Sequence, residues 1–212
     1  MGRENRLSLA STDRQTSGET AAGREALLRV ALECFAEKGF HGTSMRDIAH
    51  RANASIAAIY YYFPSKVDIL RHIMLGVTQD LILALERARE VAGPDAALQL
   101  RAVVRAHVRL HTERQSESFV GNTELRSLAP VDRDHVVALR DRVAENFREP
   151  ILAGTRRGLF RCPFPHEATL AILTMCTAVA SWYRAGGGES PDALADRFAV
   201  LALTMVGFTG VL

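Results

Sequence analysis

The chain has 212 residues, of which 48% are hydrophobic and 24% are charged, and its formal net charge is +2. This length allows a buried core in one domain or in two modest ones. The net charge is too small to indicate a nucleic-acid partner, so any affinity for DNA must come from locally placed Lys and Arg.

Residues 1–22 are rich in Ser, Thr, Gly, Arg and Glu and show no apolar period. This composition predicts a flexible N-terminal arm. Its arginines Arg3, Arg6 and Arg14 are candidate DNA contacts, and a solvated tail without that role is the alternative.

Two short helices are predicted next. Apolar residues recur at steps of three and four over 24–40, and Gly39 suits the left-handed cap that ends a helix. Thr43 or Ser44 then begins a second helix that runs through Arg51, because a hydroxyl group can accept from the free amides of a first turn.

A tight turn and a third short helix follow. Asn53 lies at the turn, where the backbone needs a positive φ that Asn tolerates better than any residue except Gly. Ser55 is the predicted N-cap of the third helix, and Pro64 ends it. The last two helices of this head therefore form a helix-turn-helix.

A long fourth helix begins after the head. Ser65 and Asp68 resemble a capping box, and an apolar stripe over 67–85 continues for about seven turns. Gly93 and Pro94 interrupt the pattern, and Pro94 suits the first position of the next helix.

The remainder of the chain also has helical periodicity. We expect Pro150 to bend or interrupt a long helix. No segment alternates with period two for long enough to form a strand, so the predicted fold class is all-α. The predicted helices after the fourth cover approximately 94–113, 117–128, 132–158, 166–184 and 191–209.

The cysteines and the apolar segments limit the class of protein. Cys34, Cys162 and Cys176 are odd in number and far apart, which fits neither a disulfide framework nor paired metal ligands, so we expect reduced, buried thiols. No apolar run approaches the roughly 18 residues of a membrane span, and the N-terminus lacks the apolar core of a signal peptide. The sequence predicts a cytoplasmic protein and indicates no metal and no cofactor.

Three segments of the head carry a specific motif: 31–40 (Ala-Leu-Glu-Cys-Phe-Ala-Glu-Lys-Gly-Phe), 43–49, and 59–66 (Ile-Tyr-Tyr-Tyr-Phe-Pro-Ser-Lys). With the long helix and helical body that follow, they resemble the TetR family of bacterial transcriptional repressors. The family usually has Gly where this chain has Asn53, and often His where it has Tyr62. Neither difference removes the implied function, because Asn can make the turn and a tyrosine hydroxyl can bind phosphate.

The resemblance implies a DNA-reading surface. A recognition helix directs its N-terminal residues toward base edges, and the motif position adds Arg46, whose planar fork matches guanine O6 and N7. Alanine and isoleucine side chains offer only apolar contacts, for instance with thymine methyl groups. The residues that this places against bases are Arg46, Ser55, Ile56, Ala57 and Ala58, with Tyr61 as a further candidate.

The same resemblance implies phosphate contacts that set register without reading sequence. The candidates are Tyr60, Tyr62, Lys66 and either Thr43 or Ser44. Ile59 and Phe63 are expected to pack inside the head.

The body resembles a narrower subgroup. The segments 124–126, 140–142, 158–161 and especially 181–188 (Ser-Trp-Tyr-Arg-Ala-Gly-Gly-Gly), together with Gly154, are similar to TetR regulators of fatty-acid, sterol or related acyl degradation. Those regulators respond to acyl-CoA thioesters. The resemblance therefore implies a small hydrophobic effector, with an acyl-CoA as the candidate.

The last two helices are apolar nearly all round, so they need partners on two sides. The family uses them in a symmetric homodimer. The two heads would then meet successive major grooves about 34 Å apart on a palindromic site.

His107 and His111 lie four residues apart on one helix face and are candidate ligand contacts, although ordinary core or surface histidines show the same spacing. Zinc is not favoured, because no third ligand is suggested by spacing. Further candidate ligand-binding residues are Phe119, Arg126, Asn146, Phe147, Met175 and Trp182. Positive charge for a CoA moiety could come from Arg156, Arg157, Arg161 and Arg184, although a run of arginines is more often a solvated face.

The resemblance thus implies an arm over 1–22, a DNA-binding domain over 23–66 and a ligand-binding and dimerisation domain over 67–212. The expected function is a repressor that leaves its operator when ligand shifts the fourth helix and spreads the heads. An activator, or a regulator without a small ligand, is the alternative. An enzyme is a remote alternative, because the sequence has no nucleophile elbow, no Gly-rich phosphate loop and no paired carboxylates. Operator sequence, effector and regulated genes stay open.

Overall fold

The computed structural model describes residues 23–210. All regular structure in this range is helical and it contains no strand, which confirms the predicted all-α class. The predicted arm, with Arg3, Arg6 and Arg14, lies outside the described residues. The elements in chain order are α1 (described over 23–38), α2 (Met45–Arg51), α3 (Ile56–Tyr62), α4 (Lys66–Ala92), α5 (Ala96–Glu113), α6 (Gln115–Thr123), a 3₁₀ helix (Leu125–Ser127), α7 (Pro130–Arg156), α8 (Pro165–Trp182) and α9 (Pro191–Met205).

The chain divides into two compact units, of which the first ends at Leu70 and the second begins at Arg71. Helix α4 contains this boundary and contributes residues to both units. We call the first unit the head and the second the body. The domain boundaries expected from sequence remain a prediction.

The head helices end and begin where local backbone chemistry predicts. Gly39 has a φ of +75° after α1, and Asn53 has a φ of 48° after α2. The Ser44 hydroxyl accepts from the Asp47 amide, and the Asp47 carboxylate accepts from the Ser44 amide, so the two residues form a capping box. Ser55 caps α3 by accepting from the Ala58 amide at 3.1 Å.

The core of the head is built from one face of each helix. Phe35 and Phe40 from α1 and the loop after it pack edge to face, with ring centroids 5.2 Å apart. Ile48, Ile59 and Phe63 are fully buried. Burying a side chain of this size contributes about 1.5–3 kcal/mol. The opposite faces of α2 and α3 are therefore left free for solvent or a partner.

The body is a bundle in which α5 packs along α9 and also contacts α7 and α8. Its interior is apolar, and Leu100, Phe147, Ile151 and Ile172 are fully buried. Three arginines of α5 form ion pairs with two aspartates of α9. Such half-exposed pairs add little free energy each, so packing holds the bundle together.

The structure corrects three details of the predicted body. Helix α5 begins at Ala96, and Asp95 is its N-cap because its carboxylate accepts from the amides of Ala97 and Leu98, so Pro94 is not at the first helical position. The predicted helix over 117–128 starts earlier and ends at Thr123, followed by the 3₁₀ helix. Helix α7 is continuous through Pro150, so of the expected bend or interruption there, the interruption does not occur.

The three cysteines are free and buried, as predicted. Burial raises the pKa of the Cys34 and Cys176 thiols. Both groups are therefore protonated at neutral pH and poor nucleophiles. Across residues 23–210, no helix combines the length and apolar character needed to cross a bilayer.

Candidate functional site

The exposed face of α2 and α3 carries most residues predicted to contact DNA. Arg46, Ser55 and Ala57 are exposed. Tyr61 is 75% exposed and Tyr60 is 51% exposed, which is unusual for large aromatic side chains. The other predicted residues of α3 are Ile56, which is exposed, and Ala58 and Tyr62, which are half-buried. Aromatic hydroxyls on an exposed short helix can reach phosphate oxygens.

Arg46 and Arg51, the two arginines of α2, differ in their surroundings. Arg51 donates to both carboxylate oxygens of Glu37, with Nη2 2.8 Å from Oε1. It also lies 3.3 Å from Glu33. Arg46 has no hydrogen-bond or ion-pair partner within 23–210, so its guanidinium is available to an external acceptor.

Asp47 lies beside Arg46 in sequence and is fixed within the head. The Ser44 hydroxyl and amide, followed by the Lys38 ammonium, lower the pKa of this carboxyl to about 2. Lys38 lies 3.3 Å from the same carboxylate. Ser44 and Lys38 therefore both contact Asp47. Arg46 lies on the same face, and no group in the described chain neutralises its charge.

Thr43 and Lys66, two predicted phosphate contacts, point into the head. Thr43 is 2% exposed, and its hydroxyl donates to the carbonyl oxygens of Cys34 at 3.1 Å and Gly39 at 2.9 Å. The Lys66 ammonium donates to two carbonyl oxygens at 2.7 Å each. At most one of its three protons is left for DNA. Of the alternatives Thr43 and Ser44, only Ser44 is exposed.

The body contains a cavity of about 390 Å³. Five helices, α4 to α8, contribute to its wall, and most of that wall is apolar. This volume lies within the roughly 300–1,000 Å³ typical of small-molecule sites. The lining residues are Val77, Thr78, Leu81, His107, Leu110, His111, Ser118, Gly121, Asn122, Arg140, Val143, Leu173, Thr174, Thr177 and Ala178.

His107 and His111 are stacked at this cavity, with ring centroids 4.1 Å apart and 11° between the ring planes. The Nδ1 atom of His111 lies 3.0 Å from the His107 carbonyl oxygen. Because a carbonyl only accepts, Nδ1 carries the proton and Nε2 is an acceptor. Burial lowers the pKa of His107 well below its usual range and that of His111 to about 4. The pair is neutral at pH 7.

Polar groups without a partner also line the cavity. His107 Nδ1 and Ser118 Oγ are buried and have no hydrogen bond to the described part of the chain. Arg140 Nη2 donates to the Gly121 carbonyl oxygen at 2.7 Å, and the guanidinium makes no ion pair within 23–210. Buried polar atoms in proteins usually have partners. These groups therefore indicate a ligand with its own polar atoms.

The other predicted ligand residues are not among those lining the cavity. The Phe147 ring packs edge-on against His107, with centroids 5.4 Å apart. Asn146 accepts from Arg89 at 3.3 Å. Trp182 stacks on Phe198 and is half-exposed. The remaining three, elsewhere in the body, are Phe119 and Arg126, which are exposed, and Met175, which packs against the core.

The arginines considered for a CoA moiety are exposed and also lie away from the cavity lining. Arg157 donates to the Pro94 carbonyl oxygen at 3.2 Å. No group of three or more His, Cys, Asp or Glu side chains in the described chain could hold a metal ion.

An exposed apolar surface lies on α8 and α9. Val200 is 63% exposed and Leu201 is 51% exposed, although both are large and apolar. Several large exposed apolar side chains on two packed helices are typical of an interaction site. Its larger members are Leu170, Trp182, Val200, Leu201 and Met205.

Two family models match the chain. The model described as "Tetracyclin repressor-like, C-terminal domain" matches residues 93–206. The model described as "Bacterial regulatory proteins, tetR family" matches residues 27–73. Together they cover the head and most of the body.

Individual relatives are similar over most of their length. The HTH-type transcriptional repressor KstR2 of Rhodococcus jostii is 29% identical over 192 residues, which are 89% of this chain and 92% of the relative. The TetR family transcriptional regulator PfmR of Thermus thermophilus superposes with a TM-score of 0.79 at 33% identity, covering 84% of this chain and 97% of PfmR. AibR, solved in complex with isovaleryl coenzyme A and operator DNA, shares the fold with a TM-score of 0.77 at 22% identity, covering 87% and 98%.

Proposed function

The chain belongs to the TetR family of bacterial regulatory proteins, and from this premise we propose how it acts. It is a transcriptional repressor rather than an enzyme. It binds a palindromic operator as a homodimer in the cytoplasm, where bacterial DNA lies, and a small hydrophobic effector releases it.

The observation that carries the DNA-binding part is the exposed face of α2 and α3. Arg46 has no partner within 23–210 on a face that also presents Tyr60 and Tyr61. In this reading Arg46 reads a guanine, Tyr60 and Tyr62 contact phosphates, and Tyr61 lies against a base. Because the first turn of α3 offers Ile56, Ala57 and Ala58, which have no hydrogen-bonding side chains, much of the specificity comes from dimer spacing and DNA shape.

Dimerisation supplies that spacing. The exposed apolar surface of α8 and α9 supports a symmetric interface between two copies. A two-fold dimer would place two heads on successive major grooves, about 34 Å apart.

The cavity of the body supports the effector part of the proposal. Its apolar wall suits an acyl group, and AibR, a protein of the same fold, binds isovaleryl coenzyme A. Val77, Thr78 and Leu81 bring α4 into contact with any ligand in the cavity. A ligand that binds the DNA-free conformation more tightly shifts the protein off its operator, whereas equal affinity for both conformations shifts nothing.

The test combines a mobility-shift assay with a reporter. The full-length protein is mixed with a duplex covering the region upstream of its own gene, in excess random competitor DNA, and acyl-CoA thioesters of varied length are added. A specific complex that one thioester dissolves is the expected result, with higher reporter expression when the gene is deleted. Lower expression on deletion would instead identify an activator, and a complex insensitive to every thioester would exclude an acyl-CoA effector.

A further inference from the structure

Arg140 of α7 is a charged group at the wall of an apolar cavity. Within residues 23–210, its guanidinium donates one hydrogen bond, from Nη2 to the carbonyl oxygen of Gly121 on α6 at 2.7 Å. A guanidinium has five N–H donors, and no carboxylate within residues 23–210 forms an ion pair with this one. The cavity thus has an uncompensated positive charge.

Arg140 is half-buried, so its guanidinium has lost part of its contact with water. Removing a charge from water costs free energy unless a counter-charge or several hydrogen bonds replace the water. Burial lowers the pKa of Arg140, yet an arginine side chain stays protonated in a protein. An anion bound in the cavity would supply the missing counter-charge.

A second donor, the Ser118 hydroxyl, lines the same cavity. Ser118 and Gly121 are three residues apart on α6 and therefore face the same side of that helix. Arg140 donates to the Gly121 carbonyl, and Ser118 lies about one helical turn before Gly121 on α6. Ser118 is 3% exposed, and its Oγ has no partner in the described chain.

The rest of the wall offers no other charge. Val77, Leu81, Leu110, Val143 and Leu173 are apolar. The stacked histidines are neutral at pH 7, because burial lowers the pKa of both. The cavity therefore has one cationic region in an otherwise uncharged and mostly apolar wall, which fits a ligand with an apolar body and a single anionic group.

We propose that Arg140, assisted by the Ser118 hydroxyl, binds a carboxylate on the ligand whose apolar body fills this cavity. The inference rests on the proposed effector function and narrows the effector class. A planar guanidinium fork matches the two oxygens of a carboxylate. The carboxylate can belong to a free carboxylic acid or to an acyl group that carries a second acid function on a CoA thioester.

The experiment measures ligand binding to the full-length protein without DNA, by isothermal titration calorimetry. Octanoate and its shorter and longer homologues are compared with the matching neutral alcohols. Octanoyl-CoA is compared with octanedioyl-CoA, which differs by a terminal carboxylate. Arg140→Gln removes the charge, and Arg140→Lys keeps it without the fork. The matched control is Arg142→Gln, since Arg142 is an exposed arginine of the same helix that pairs with Glu86.

The parent should bind at least one carboxylate about tenfold more tightly than its neutral counterpart, because hydrogen bonds to charged groups are the stronger ones. Arg140→Gln should lose the preference for carboxylates and keep its affinity for the alcohols. Arg140→Lys should keep part of the preference. Arg142→Gln should match the parent in both. Preference for the free acids identifies a carboxylic acid ligand, and preference for octanedioyl-CoA identifies an acid-bearing acyl group.

Three results would overturn the inference. The parent shows no preference for carboxylates, the Arg140→Gln variant keeps that preference, or no ligand of the series binds at millimolar concentration. Two controls show that a variant without the carboxylate preference is still folded. Its thermal unfolding transition should be retained, and its affinity for the neutral alcohols should persist. Operator release is a separate measurement. A repressor released by an uncharged effector would overturn this inference and leave the proposed function intact.

Discussion

The ammonium nitrogen of Lys66 lies 2.7 Å from the carbonyl oxygen of Phe40. It also donates to the Thr43 carbonyl oxygen at 2.7 Å and lies 4.3 Å from the centroid of the Phe40 ring. The first residue of α4 therefore fixes the loop between α1 and α2, which positions Arg46. A lysine that the sequence suggests as a phosphate contact has a structural role inside the head.

Replacing Lys66 with Ala should destabilise the protein by about 1.5–3 kcal/mol, because two carbonyl oxygens lose a charged donor. Urea unfolding followed by circular dichroism measures the change. Lys38→Ala is the control, since Lys38 forms only an exposed pair with Asp47 and should cost less than about 1 kcal/mol. Equal stability of the two variants would show that Lys66 is not structural.

Replacing Arg46 with Ala should weaken operator binding by about 1–3 kcal/mol and relax one base position, because its guanidinium is the predicted guanine contact. Binding to random DNA should change much less. Fluorescence anisotropy on operator, single-base variants and random duplexes separates the two effects. Arg29→Ala, an exposed arginine of α1 paired with Glu33, is the matched control. Equal losses on operator and random DNA would make Arg46 a phosphate contact instead.

Stability should fall as the pH drops below neutrality, because of the buried histidines. Burial lowers the pKa of His111 from 6.5 to about 4, and it lowers the pKa of His107 well below its usual range. Between these values the unfolded chain binds protons that the folded chain does not. The contribution is therefore complete above about pH 7 and is lost as the pH falls toward 4. For His111 the loss at pH 4 is on the order of 3 kcal/mol.

Urea unfolding at pH 7 and pH 5 tests this expectation. His111→Gln does not titrate and should lose less stability between the two pH values than the parent. His166→Gln, an exposed histidine of α8, should behave as the parent. If parent and His111→Gln lose the same free energy of unfolding, the buried pair is not responsible for the acid sensitivity.

Introducing charge on α9 should prevent dimerisation. The double variant Val200→Asp, Leu201→Asp places two carboxylates on the exposed apolar surface, where burial against a second copy would desolvate them. Analytical ultracentrifugation should show a monomer, and operator affinity should fall by more than about tenfold, since two linked heads bind better than one. Val91→Asp on α4, at a residue 82% exposed, is the control and should stay dimeric. A dimeric double variant would place the interface elsewhere.

Local rules predicted much of the head. Gly39, Ser44, Asn53 and Ser55 act through their own backbone or through an amide three residues away, so sequence alone identified the helix ends. Lys66 behaved differently. Its partners are more than twenty residues earlier in the chain, and only the packed head shows that its ammonium points inward.

The cavity was less accessible to sequence reasoning. His107 and His111 stood out because they are four residues apart on one helix, and they do line it. Arg140 and Ser118 come from different helices. Arg140 lies in a segment that resembles the subgroup, but nothing near either residue in the sequence indicates that it lines a cavity. Which polar groups lack partners depends on how five helices meet, so it follows from the structure alone.

The most direct test of a cavity-controlled repressor compares the parent with Ala178→Phe, a variant that adds a ring to the cavity wall at Ala178. Fluorescence anisotropy follows a labelled operator duplex in both complexes while octanoyl-CoA, octanedioyl-CoA or octanoate is added. Both proteins should bind the operator equally, and at least one ligand should release the parent while leaving Ala178→Phe bound. Release of both proteins at the same ligand concentration, or of neither by any ligand in the series, would contradict control through this cavity.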